Sequence, residues 1–304
     1  MNQDEYIEKI NKLRKEKKAI ILAHYYVDES VQKIADFVGD SYYLSKKALD
    51  RDENLIIFCG VQFMGESAKI LSPHKIVVMA DRLADCPMAH MVEEEDIKEI
   101  RSKYDDLAVV CYINSTAEIK ALSDVCVTSS NALTIVQKLK EKNIFFIPDN
   151  NLGRYIASKL PQKNFIFNDG FCHVHTSITK ERVLEAKKLY PDAKVLVHPE
   201  CTMDVVELGD YVGSTAGIID YATKSESEKF IICTEMGIFY ELQTRNPHKK
   251  FYSVGHRQFC PNMKLISLDK VYEALDTLKN PIQLPEELRV KAEKALMNMH
   301  QLAN

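Results

Sequence analysis

Four of the eight cysteines stand in polar surroundings: Cys86 in "RLADCPMA", Cys172 in "NDGFCHVH", Cys201 in "HPECTMD" and Cys260 in "HRQFCPNM". The other four, Cys59, Cys111, Cys126 and Cys233, lie in apolar strand-like runs such as "LIIFCG" and "FIICTE", where a thiol behaves as a small hydrophobe. No CxxC pair is present, so the spacing does not resemble a zinc knuckle. Thiolates brought together from distant segments suit a metal ion or an iron–sulfur cluster. Beside them stand residues able to move protons or bind oxygen: His24 and Tyr26 in "ILAHYY", and His198 and Glu200 in "VHPEC".

An internal repeat links these residues. The segments "ILAHYYVDESVQKIADFVGDSYYL" from 21, "VVCYINSTAEIKALSDVCVTSSNAL" from 109 and "VLVHPECTMDVVELGDYVGSTAGII" from 195 align without gaps, at shifts of 88 and 86 residues. His24, Tyr112 and His198 coincide, as do Tyr26, Asn114 and Glu200. Asp36, Asp124 and Asp210 form another ladder, and Ser41, Ser129 and Thr215 a further one. The register runs on through Gly60, Pro148 and Thr234 to Cys86, Cys172 and Cys260, now separated by 86 and then 88 residues. Three similar units about a pseudo-threefold axis would bring these cysteine loops to one point. The plain alternative is a structural cysteine inherited by every copy. Three cysteine ligands on a [4Fe–4S] cluster would leave one iron open as a Lewis acid, with His173, His175 and Cys201 as possible fourth ligands.

The elements that must position these residues alternate. In the first copy "AIILAHYY" and "LIIFCG" are short continuous apolar runs and read as buried strands, as does "KIVVMA". "SVQKIADF", "YYLSKKALD", "FMGESAKIL" and the acidic-capped "EEEDIKEIRSKY" read as helices, whereas "DFVG" is too brief to assign. Asp28, Thr116 and Thr202 are expected as N-caps of the first short helix in each copy, and Ser41, Ser129 and Thr215 as N-caps of the next. The expected fold is α/β: three similar αβα units with parallel sheets around a central active-site cavity, covering residues 1–104, 105–190 and 191–304. The last unit also carries a C-terminal amphipathic helix. Sites in such sheets lie at the carboxyl ends of strands, where His24, Tyr26, Tyr112, Asn114, His198 and Glu200 all stand. Free N–H groups at three helix starts would suit a small polyanionic substrate.

The 304 residues carry a net charge of −4, which gives no support for a nucleic-acid or acidic-membrane partner. The charged N-terminus has no signal-peptide core and no apolar run is long enough to span a bilayer, so a cytoplasmic protein is expected.

Taken together, "ILAHYY", "IADFVGDS", "GVQFMGESAKIL", "YINSTAEIKALSD", "PDNNLGRYIA", "HPECTMDVVELGDYVGST", "TEMGIFYEL" and "CPNMK" resemble the quinolinate synthase family, from about residue 19 to the C-terminus. The resemblance implies condensation of iminoaspartate with dihydroxyacetone phosphate, with loss of phosphate and water, to give quinolinate for NAD biosynthesis. It implies one [4Fe–4S] cluster on Cys86, Cys172 and Cys260, with Glu200 as acid/base and Tyr26 assisting conversion. His24, Ser41, Tyr112, Asn114, Ser129, His175, His198, Ser214 and Thr215 match substrate-binding positions, and His24 and His198 are further catalytic candidates. An iminoaspartate-producing enzyme is a candidate partner. Gln62 stands where the family often has His, and Asp85 and His90 depart from the usual surroundings of the first cysteine. The reductase of the methylerythritol phosphate pathway also has three domains and three cysteines, but "HPECTMD" and "VGST" favour quinolinate synthase. An iron–sulfur sensor would usually need an output surface, and no basic patch supplies one.

Overall fold

The expected strands form, and they assemble into three parallel sheets. A computed structural model describes residues 1–255 and 258–303; His256 and Arg257 of the "HRQFCPNM" block lie outside the described residues, as does Asn304. The first sheet holds β1 (Ala19–His24), β2 (Phe37–Gly39), β3 (Leu55–Cys59) and β4 (Ile76–Met79), in spatial order β2-β1-β3-β4. The second holds β5 (Leu107–Tyr112), β6 (Val125–Val127), β7 (Asn143–Ile147) and β8 (Asn164–Phe167), ordered β6-β5-β7-β8. The third holds β9 (Lys194–Val197), β10 (Tyr211–Val212), β11 (Lys229–Cys233) and β12 (Lys250–Ser253), ordered β10-β9-β11-β12. All pairings within the sheets are parallel, and helices flank each sheet, as expected for three similar αβα units. Burial on both faces explains why the central strands read as unbroken apolar runs; every residue of β1 and β3 is buried.

The aspartate ladder is structural. Asp36 accepts the N–H of Ile21 at 2.8 Å and returns its own N–H to the Ile21 carbonyl at 2.9 Å. Asp124 does the same with Val109, and Asp210 with Val195. Each aspartate thus pins the short edge strand beside the central strand. "DFVG" is therefore a strand, β2, held by a side-chain bond that hydrophobic periodicity does not register.

Two of the three expected caps on the first short helices hold: Asp28 accepts the N–H of Ser30, and Thr116 that of Ile119. Thr202 precedes the helix Met203–Val206 but makes no side-chain cap bond. In the first and third copies the next caps fall one residue earlier than expected. Asp40 caps the helix Ser41–Asp50 through Tyr43 N–H, and Ser214 caps Thr215–Lys224 through Gly217 N–H. Ser41 and Thr215 are instead the first helical residues. In the second copy the helix Ala132–Lys138 begins later, after Asn131, which makes no side-chain cap bond. This shift releases the hydroxyls of the ladder from capping.

The C-terminal segment packs away from the third sheet. The helix Leu268–Thr277 lies on Gln3–Glu16, and Glu286–Leu302 lies across Ala117–Ala121 and β6. Ala292, Ala295, Leu296 and Met299 are fully buried in an apolar core continuous through the first two sheets. No helix among the described residues is long and apolar enough to cross a membrane.

Candidate active site

The carboxyl ends of β1, β5 and β9 open on one cavity of about 70 Å³. His24, Tyr26, Ser41, Tyr112, Asn114, Ser129, His175, His198, Glu200 and Thr215 line it, with all three of Cys86, Cys172 and Cys260. Ser214 is not in the lining, because its hydroxyl is committed to its helix. Of the possible fourth thiol or imidazole ligands, His175 is at the cavity, with Nδ1 3.2 Å from Cys172 Sγ. His173 is exposed, and Cys201 is fully buried with its Sγ directed to the Cys233 carbonyl. The four cysteines read as core residues are indeed buried.

Glu200 is the centre of the polar network and is buried. Tyr112 donates its phenol to Oε1 at 2.5 Å, and His175 Nδ1 lies 2.6 Å from Oε2. Burial alone pushes the Glu200 carboxyl up, but His175, His198 and the Tyr112 hydroxyl outweigh it and hold the group below the usual carboxylate range. Glu200 is therefore an anion in the cavity wall. Tyr26 shares its hydroxyl with Thr215 at 2.7 Å and Thr234 at 2.9 Å, and Thr234 continues to His175 Nε2 at 2.9 Å. Burial, and then the Glu200 charge, push both tyrosines well above their ordinary range, so both remain neutral phenols.

The repeat fixes two histidines identically. The N–H of Tyr26 donates to His24 Nδ1 at 3.1 Å, and that of Glu200 to His198 Nδ1 at 3.3 Å. An Nδ1 that accepts leaves the proton on Nε2, and His198 Nε2 lies 3.3 Å from Ser129 Oγ. Burial lowers both histidines to about 3, against a partial opposing pull from Glu200. They are neutral donors at ordinary pH. Asn114 Oδ1 is buried with no hydrogen-bond partner among the described residues, an unpaired polar atom in the wall.

The donor set fits a thiolate-bound metal group. Cys86, Cys172 and Cys260 each precede a short helical turn whose backbone N–H groups meet the sulfur: Ala89 and Met88, His175, and Met263 and Asn262 respectively. Burial raises all three thiols, Cys86 to about 12, and nearby charges including Glu200 raise Cys86 and Cys172 further. A bound cation reverses that preference and favours thiolate. Cys172, His175 and Glu200 also bring their ligand atoms within 4.8 Å of one another, close enough to hold a metal ion.

Three residues at this site were not singled out from sequence. Thr234 bridges Tyr26 and His175, Glu235 lines the cavity, and Lys264 donates to the Tyr26 carbonyl at 2.8 Å. Thr234 was already in the repeat register, so a signal was present; Lys264 has no counterpart that would single it out.

Comparison with known proteins agrees with this geometry. The family model described as quinolinate synthetase A protein matches residues 8–301. A quinolinate synthase of Clostridioides difficile is 52% identical over 294 residues, covering 97% of each chain. One from Fusobacterium nucleatum is 52% identical over 296 residues, covering 97% of this chain and 99% of its own. One from Caldicellulosiruptor bescii is 51% identical, covering 98% and 99%. With a match of this extent laid over a shared cavity and three repeat-related cysteines, the chain belongs to the quinolinate synthetase A family of enzymes.

Proposed function

We propose that the protein makes quinolinate for NAD biosynthesis by condensing iminoaspartate with dihydroxyacetone phosphate, with loss of phosphate and water. The observation that carries this reading is the meeting, in one cavity, of three repeat-related cysteines with a buried, hydrogen-bonded Glu200. Cys86, Cys172 and Cys260 would hold a [4Fe–4S] cluster. Such a cluster supplies, when bound, an iron with no protein ligand, a Lewis acid for substrate oxygen.

The chain's own groups do the rest. Glu200, the carboxylate that Tyr112 and His175 keep ionised in the cavity wall, is the candidate acid/base group. Tyr112 and His175 hold its two oxygens in place. Tyr26 is a neutral hydroxyl, oriented by Thr215 and Thr234 to donate a hydrogen bond or return a proton. His24 and His198 present Nε2–H donors without adding positive charge. Ser41 and Thr215 begin helices of ten residues, whose free N–H groups suit phosphate or carboxylate. Ser129 and the unpaired amide oxygen of Asn114 complete the polar wall. The substrates are small molecules, and a partner enzyme that supplies iminoaspartate fits this reaction.

The test is an anaerobic assay for quinolinate from dihydroxyacetone phosphate and freshly generated iminoaspartate, with iron and sulfide counted. Product from the parent, with loss of product and iron in Cys86→Ala, Cys172→Ala and Cys260→Ala, is expected. Full iron without product would refute the reaction.

A further inference from the structure

We propose that two carboxylates, Asp85 and Glu235, seat the first and third cysteine loops by holding the main-chain amides of Cys86 and Cys260. The proposal rests on the reading of those cysteines as ligands of one cluster. Glu235 is fully buried. Its Oε1 accepts the N–H of Cys260 at 3.0 Å and its Oε2 that of Gly237 at 2.5 Å. Lys264 stands 3.4 Å from Oε1 and also donates to the Tyr26 carbonyl, tying the third cysteine loop to the end of the first sheet. Gly237 permits this approach, since a Cβ there would lie 2.5 Å from the Tyr25 carbonyl oxygen.

Asp149 precedes Glu235 by 86 residues and occupies the same place in the repeat. It too is fully buried, but its Oδ1 accepts Leu152 N–H at 2.6 Å and so caps the helix Asn150–Lys159. Its Oδ2 has no hydrogen-bond partner among the described residues, so the second cysteine loop lacks the bond seen at the third. In the first copy the equivalent residue is Val61, which has no acceptor. There Asp85 substitutes: its Oδ1 takes the Cys86 N–H at 2.7 Å and its Oδ2 meets His90 Nε2 at 2.7 Å. The two departures around the first cysteine thus form one unit that replaces the missing carboxylate.

An amide fixed by an acceptor sets the direction of the cysteine Cα–Cβ bond, and so of Sγ. A charged acceptor holds it more firmly than a neutral one. Partners behind the ligands orient them and tune the bound group. A negative charge beside a cluster also lowers its reduction potential.

The experiment follows iron release to a ferrous chelator and the midpoint potential of the anaerobic holoenzyme, for Asp85→Gly, Glu235→Ala and Glu235→Gln. Release is expected to quicken roughly tenfold for Glu235→Ala, the scale of losing one charge-assisted bond. The exposed Asp85 should give a smaller rise. Glu235→Gln keeps an acceptor oxygen, so release stays near the parent rate while the midpoint potential rises. Parent-like release and potential in all three variants would overturn the proposal. Cys260→Ala is the reference: full iron in it would remove the cluster reading itself, and this one with it. Should Glu235→Ala fail to fold, Asp85→Gly and Glu235→Gln, which open no buried space, decide the matter.

Discussion

The bond between Tyr112 and Glu200 gives the sharpest test of the polar network. Tyr112→Phe keeps the buried ring and removes only the hydroxyl that reaches Glu200 Oε1 at 2.5 Å. Oε2 keeps His175, but Oε1 loses its phenol. A hydrogen bond to a charged group contributes about 1.5–3 kcal/mol, and an ionised oxygen left buried and unpaired puts the loss near the top, about 2–3 kcal/mol. In a Glu200→Gln background the same bond is neutral and contributes about 1 kcal/mol. The cycle should therefore show a coupling of about 1–2 kcal/mol, read from urea unfolding of the four proteins at pH 7. The same coupling raises the Glu200 pKa by about one unit in Tyr112→Phe, since 1.36 kcal/mol corresponds to one pKa unit, so acid unfolding of the variant sets in at higher pH. The direction follows from the folded state: Glu200 is held below its ordinary range, so the stability it contributes is present above about 4.5 and is lost as pH falls through its folded value. Losing the Tyr112 donor shifts that loss to higher pH. Additive mutations, with coupling under about 0.5 kcal/mol, would refute the claim that this bond holds the anion.

Two further outcomes follow from the same geometry. Thr234→Val removes the hydroxyl between Tyr26 and His175 while keeping its shape, and two lost bonds of about 1 kcal/mol each should lower kcat by roughly tenfold or more; an unchanged kcat would show that the bridge does not position Tyr26. His24 and His198 are lowered to about 3 by burial, so neither should ionise between pH 5 and 8 in an activity profile. Because their folded values lie below the ordinary 6.5, stability is full above 6.5 and falls as pH drops toward 3, by about 2 kcal/mol per histidine between pH 6.5 and 5. Urea unfolding at the two pH values measures this, and an equal fall in the His198→Gln variant would show that His198 is not the source.

Sequence alone was enough for the α/β class, the parallel strands, the repeat and the three cysteines. Those features are local or periodic: an apolar run, an N-cap, a cysteine at the same place in each copy. Glu200 and the histidines were legible because they end buried strands, where such sheets carry their sites. In the first and third copies the second caps were misplaced by one residue, because sequence does not say which of two adjacent polar residues, such as Asp40 or Ser41, leaves the helix and which begins it. Only the tertiary structure decided that Glu200 is clamped by Tyr112 and His175, residues 88 and 25 positions away, and that Thr234 joins Tyr26 to His175. The same holds for Asp85, which reads as an oddity in the chain and becomes an acceptor once the Cys86 loop is folded back on it. Hydrogen bonds between distant segments depend on angstrom-scale placement, which follows from how the three sheets pack and not from any pattern along the chain.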